Sequence, residues 1–407
     1  MVFRLRRFVL KRLVSVILVI LCLVISLPVY ATEYEALDIS IVNNVCSGLN
    51  DGSSYDSENR VLTLAEGEYG SITCNNDLTI KTTGKTIIFQ IKAEKEHGSS
   101  ILKIIDANIN PNPNNVGSNI VCNGDIEIKN SLIELDYFIV TETGSISIEN
   151  STVTLPGITK MQGYIFANGN IYIRKSIVTA DYNINTYGSM VIENSTVKLP
   201  SKYSNGGYIT APSGILIKNS TLDLNYYVFC DSGDFRAVKS IIHISLNRDD
   251  NKRRSNIEVG IGNITIADSI IDVDAFIKTN IGSIDLSNSK INTGSLVAWN
   301  GSVTLNRVEG NINGAKSINS DSATGIFCKS IELINTNLPD GHLVGNAVIG
   351  EDKYATITYK DGEMAYGFKL FAKSAFPIVW IIVIGSVVVL AAVVAIIIIF
   401  KKKKKAQ

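Results

Sequence analysis

Four residues with complementary chemistry recur at one place in a repeating pattern. Lys198, Asp223, His243 and Asp272 each stand four positions after a polar residue that closes a short apolar strand. If successive repeats stack, these side chains form one outward file of cations beside carboxylates. Asp223 and Asp272 would then lie two strand steps apart, about 10 Å at about 4.8 Å per step. That is the wide end of the separation that inverting glycoside hydrolysis uses for its acid and base. Opposite charges in an exposed file are also ordinary cross-strand pairing, so the file admits a catalytic and a purely structural reading.

Other chemistry is poorly provided for. The chain has three histidines in 407 residues, no G-x-S-x-G, no phosphate-binding glycine loop and no paired metal-ligand spacing. Neither a cofactor nor a metal is expected. Asp51, Asp56 and Glu58 in "NDGSSYDSEN" have the residue types of a calcium loop, and facing water is the simpler account of them.

The elements that would position the file are legible from a repeat. "GSISIENSTVTL" at 144–155 returns as "GSMVIENSTVKL" at 188–199 and, altered, as "SGILIKNSTLDL" at 213–224. Aligning on the polar residue gives ten anchors: Asn130, Asn150, Lys175, Asn194, Asn219, Lys239, Asp268, Asn288, Arg307 and Asn335. Serine follows eight of them. Apolar residues sit two and four positions before the anchor (Ile146, Ile148) and three and five after it (Val153, Leu155). This is the period-two signature of strands with one buried face, and it excludes helix.

A third short strand, as in "YIFANG" and "YVFCDSG", completes each unit. Such a unit cannot bury its apolar side alone, so units must stack. The expected fold is all-β: a right-handed parallel β-helix of about ten coils, nine steps, roughly 43 Å long. Asn suits the anchor because it tolerates left-handed backbone angles and its amide can bond to the like amide one coil away. The residue before the anchor runs Lys129, Glu149, Arg174, Glu193, Lys218, alternating in sign as stacked neighbours prefer.

The coils resemble those of the right-handed parallel β-helix proteins, among them pectate lyases, polygalacturonases, phage tailspikes and secreted adhesin-like proteins. The likeness is one of architecture and covers about two thirds of the chain, carried by the Asn-Ser turn and the alternating isoleucines. It implies a fold and two kinds of function, polysaccharide cleavage and surface binding. The polygalacturonase aspartate motifs are not matched: "RDD" at 248–250 lies in a polar insert and "DGH" at 340–342 lies beyond the coils.

Alternate units carry longer connections after the second strand, "PGITKMQG", "PSKYSNGG" and "NRDDNKRRSN", which should project from one edge. Tyr137, Tyr164, Tyr182, Tyr208, Tyr226 and Phe276 begin third strands beside them. Exposed, Tyr164 and Tyr208 could stack on sugar rings or a protein partner; buried, they would close a corner as an aromatic ladder.

Cys74, Cys122 and Cys230 fall near one corner of different coils, where Ala167, Thr186 and Ala298 sit in others. Small buried core positions account for them better than disulfides do. The sequons at Asn150, Asn194 and Asn219 coincide with anchors, so the turn already demands Asn and Ser there.

The chain divides into six segments. Residues 1–31, with five basic residues, an apolar run and "VYA", read as a signal peptide. Residues 32–77 are an N-terminal β cap, 78–338 the parallel β-helix, and 339–377 a C-terminal cap and linker. Residues 378–400 carry no charge and are long enough to span a membrane; 401–407 form a cytoplasmic basic tail that stops transfer. The ectodomain holds 28 basic and 38 acidic residues, a net of −10, which disfavours nucleic acid as a partner.

The expectation is a single-pass cell-membrane protein with its ectodomain outside, a non-enzymatic adhesin-like scaffold for glycan or protein. The alternative is a membrane-tethered polysaccharide lyase or glycoside hydrolase built on Lys198, Asp223, His243 and Asp272. The sequence specifies neither a ligand nor an oligomeric state.

Overall fold

The computed structural model describes residues 36–111, 117–157, 162–201, 206–245, 255–314, 325–349 and 352–373. The expected signal segment, membrane span and basic tail lie outside these residues. Among the described residues every regular element is a strand, and no helix is long and apolar enough to cross a membrane.

The strands join in one large, mostly parallel sheet, and from Lys85–Ala93 to Ile241–Ile244 each pairs with the strand three places later. Asp125–Lys129 pairs with Ile146–Glu149, Leu132–Glu134 with Thr152–Leu155, and Phe138–Thr141 with Tyr164–Ala167, all parallel and all without a register shift. A three-strand unit stacked on its successor in this way is compatible with a β-helix. The cause is the alternation itself: the inward residues Ile126, Ile128, Ile146, Ile148, Ile171 and Ile173 are buried while their neighbours face out.

All ten anchors adopt a left-handed backbone, with φ between 47° and 54°. The expected ladder forms in part: Asn130 Nδ2 donates to Asp106 Oδ1 at 3.1 Å, Asn150 to Asn130 at 2.9 Å and Asn219 to Asn194 at 3.2 Å, while among the described residues no such bond joins Asp268 and Asn288. Lys175 and Lys239 break it into pieces.

The serine after the anchor does more than the turn requires. Each of the eight is buried and donates its hydroxyl to the carbonyl two residues earlier, as Ser151 does to Glu149 at 2.7 Å. The same oxygen accepts the backbone N–H of the preceding unit's serine, so one line of bonds runs from Ala107 through Ser131, Ser151, Ser176, Ser195, Ser220, Ser240 and Ser269 to Ser289. A buried corner would otherwise strand these N–H groups, which is costly.

The opposite corner is built from small side chains. Cys74, Ala93, Cys122, Thr141, Ala167 and Thr186 follow one another in register, and Val259, Thr279, Ala298 and Cys328 continue the file beyond Cys230. The cysteines are free. Burial pushes the thiols of Cys230 and Cys328 up to about 12. Gly144 completes the turn before the first strand, since a Cβ there would be driven into the Gly124 carbonyl group.

Antiparallel strands close both ends. Leu37–Val42 pairs with Val45–Ser47, and Ser54–Asp56 with Val61–Leu64. Parallel pairing has already begun there, Val61–Leu64 with Leu78–Thr82 and Gly67–Cys74 with Lys85–Ala93. At the other end His342–Ile349 and Asp352–Tyr359 form a hairpin, and Phe368–Ala372 returns against Glu309–Ile312. Exposed sheet edges invite pairing with other chains, and these returns cover them.

Candidate functional site

The second strand of each unit turns two residues outward, at the second and fourth positions after the anchor. In the fourth-position file the register runs Glu134, Thr154, Thr179, Lys198 and Asp223. It continues His243, Asp272, Asn292 and Asn311. The four residues singled out for chemistry are therefore consecutive neighbours across parallel strands. Lys369, on the antiparallel return, pairs with Asn311 and takes the tenth place.

Within the file Asp272 is engaged on both sides. Its Oδ2 lies 3.3 Å from His243 Nδ1, and its Oδ1 accepts Asn292 Nδ2 at 2.7 Å. His243 and Asp272 remain nearly half exposed, 45% and 42% for their side chains. Lys198 and Asp223 are exposed, and among the described residues no ion pair joins them. Among the described residues the file thus presents open charges on a strand surface.

The second-position file beside it runs Leu132, Thr152, Ile177, Thr196, Thr221, Ile241 and Ile270 in register and then turns charged at Lys290 and Glu309. Ile177, Ile241 and Ile270 stand about half exposed, at 51%, 49% and 49%. Ile241 and Ile270 are neighbours in register, whereas Ile177 stands apart from them beyond Thr196 and Thr221.

The charge file one position before the anchor forms as expected. Lys129 Nζ lies 3.7 Å from Glu149, Arg174 Nε 4.0 Å and Lys218 Nζ 2.9 Å from Glu193. The Lys218 ammonium, then Arg174, holds the Glu193 carboxyl below its ordinary range.

The tyrosines at the third strands gather in two clusters rather than one ladder. Tyr137, Phe138 and Tyr164 meet at 4.3 to 5.9 Å between ring centroids. Tyr208 stacks on Tyr227 at 4.8 Å, with Tyr182 and Tyr226 edge-on around it. In register the third strands place Phe138, Tyr164, Asn183, Tyr208, Tyr227, Asn256 and Phe276 in one file. Tyr137, Tyr182 and Tyr226 therefore stand one residue ahead of the file, at the corner, where Tyr137 meets the adjacent Phe138 and Tyr226 the adjacent Tyr227. Asn183 and Asn256 divide the file. All these rings are half-buried, and burial raises the Tyr164 and Tyr227 phenols above their usual range.

The longer connections leave the second strands after Leu155, Leu199 and Ile244, next to these clusters; residues 158–161, 202–205 and 246–254 of them lie outside the described set. Asp56, a calcium-type residue in the sequence, is taken up by its own turn. It accepts the N–H groups of Glu58 and Asn59 at 3.0 Å and Asn59 Nδ2 at 2.7 Å. No protein-family model matches the chain, and neither a curated protein nor a solved structure is matched by it.

Proposed function

We propose that the chain is a cell-surface protein, anchored by residues 378–400, whose right-handed parallel β-helix is a non-enzymatic, adhesin-like scaffold for glycan or protein. Right-handedness follows from the general rule for parallel crossovers. The observation that carries the binding role is the Tyr182, Tyr208, Tyr226, Tyr227 cluster: four half-buried rings on a rigid sheet, at the foot of the longer connections. Rings held this way lose little entropy on binding and offer flat faces to sugar rings or a partner's side chains.

The test is a glycan array and a pull-down with the full chain beside its Tyr208→Ala and Tyr164→Ala forms. Loss of binding at least tenfold in Tyr208→Ala supports the reading. Binding unchanged in both variants overturns the aromatic site.

The enzyme reading has the register of Lys198, Asp223, His243 and Asp272 in its favour. Against it stands the engagement of Asp272 by its two neighbours, which is ordinary cross-strand pairing. Cleavage of a polysaccharide by the full chain, lost in Asp223→Asn or His243→Ala, would restore it.

A further inference from the structure

The fourth-position file has an antisymmetry that pairing within one chain does not require. Number the ten places from Glu134 to Lys369, with Asn110 of the preceding strand left beyond the first, and reverse the order. Glu134 then faces Lys369, Lys198 faces Asp272 and Asp223 faces His243, so every acidic place meets a cation or a histidine donor. The neutral places also exchange among themselves, Thr154 with Asn311 and Thr179 with Asn292.

The adjacent file carries no charge complementarity of this kind, but the reversal brings no like charges together in it. Its central pairs become Thr221 with Ile241 and Thr196 with Ile270, and beyond them Ile177 meets Lys290 and Thr152 meets Glu309. No like charges meet in either file.

We infer that this second-strand face docks on the same face of a second copy of the chain, about a two-fold axis running along the strands between Asp223 and His243, with the two stacks reversed. A two-fold in that direction keeps each file opposite itself, as an isologous interface demands. The register is also protected. Moving the axis half a step one way sets Asp223 on Asp223 and Lys198 on His243; half a step the other way sets Asp223 on Asp272. Repulsion at the wrong register is what gives such a surface its specificity.

The face is roughly 43 Å long at about 4.8 Å per strand and two outward side chains wide, roughly 600 Å² per partner. That is below the roughly 800 Å² of a standard interface. A single pair is therefore weak, and many copies on one surface would act together. Resting on the surface-display reading, the reversed stacks send the two C-terminal anchors in opposite directions, so the contact joins two cells rather than neighbours on one.

Beads of two colours, densely coated with the full chain through its C-terminal end, test this. Wild-type beads should cluster, and clustering should fall at least tenfold between low and high salt. Lys198→Glu beads and Asp272→Lys beads should each fail to cluster with themselves, yet cluster when mixed, because mixing restores both ion pairs. The double variant should cluster with itself. Absence of wild-type clustering, or self-clustering of either single variant at the wild-type level, overturns the inference, as does failure of the mixture. Glycan binding by the same beads is read separately: a chain that clusters but binds no glycan loses the aromatic site and keeps this face, and the converse result does the reverse.

Discussion

The backbone N–H of Ser151 donates to Ser176 Oγ at 3.1 Å, and that oxygen donates in turn to the carbonyl of Arg174 at 2.6 Å. One hydroxyl thus satisfies a buried donor of the preceding unit and ties its own strand end. Ser176→Ala leaves the Ser151 N–H buried without its acceptor. The expected loss is about 1–3 kcal/mol, read as a lower urea midpoint with an unchanged slope. Ser176→Thr should lose far less, because Thr336 already fills the same place in the tenth unit, accepting Val308 N–H at 3.0 Å.

The hydroxyl line stops where the ninth unit carries Val308, which is fully buried. Threonine has nearly the same shape and would offer an oxygen to the Ser289 N–H and a donor to the Asn306 carbonyl. Val308→Thr should therefore raise stability by about 0.5–1.5 kcal/mol, the net value of one internal hydrogen bond. A lower melting temperature than wild type would show that position 308 does not continue the line.

Lys175 holds φ at 49° between Asn150 and Asn194 in the anchor column. A left-handed backbone costs an ordinary side chain about 1–2 kcal/mol and Asn less. Lys175→Asn also joins two pieces of the amide ladder. The expected gain is about 0.5–1 kcal/mol, even with one cation fewer near Glu193. Equal or reduced stability would mean that the ladder contributes nothing at this exposed corner.

Much of this was legible in the sequence because it obeys a period. Ile146, Ile148, Val153 and Leu155 alternate, so their burial follows from strand geometry. The left-handed anchors and the file from Lys198 to Asp272 follow once the repeats are aligned. Where the period lapses, legibility lapses too. Tyr137, Tyr182 and Tyr226 precede the strands they were expected to begin, because corner length is set by packing and not by alternation. The hydroxyl line was hidden by economy: a serine after an asparagine is already explained by the turn. Lys369 reaches its place from 58 residues beyond Asn311 by an antiparallel return. Without it the reversal of charge along the file cannot be seen in the sequence.

Cys74, Cys122, Cys230 and Cys328 are buried, and burial raises all four thiols, the last two to about 12. A protonated, enclosed thiol does not react. Among the five cysteines from 46 to 328, a thiol reagent at pH 8 should label Cys46 at most in the native protein. All five should react in denaturant. Rapid native labelling of Cys122 would contradict the packed corner.

Asp77 joins the first coils to one another. Its Oδ1 accepts Lys95 Nζ at 2.6 Å and Ile101 N–H at 2.9 Å, and its Oδ2 accepts Arg60 Nη1 at 2.9 Å. Partial burial works to raise its carboxyl, but the bonds from Lys95 and Ile101 and the charges of Lys95 and Arg60 outweigh it and hold the group below its ordinary range. A carboxyl depressed in the folded state adds stability that is fully present above its unfolded value of about 3.9 and is lost as pH falls through the folded value. Asp77→Asn should therefore be less stable than wild type at pH 7, and the two urea midpoints should converge as pH falls below the ordinary carboxylate range. A gap that stayed constant down to pH 2 would assign the effect to lost packing, and Asp77 would no longer be a charge that ties the first coils together.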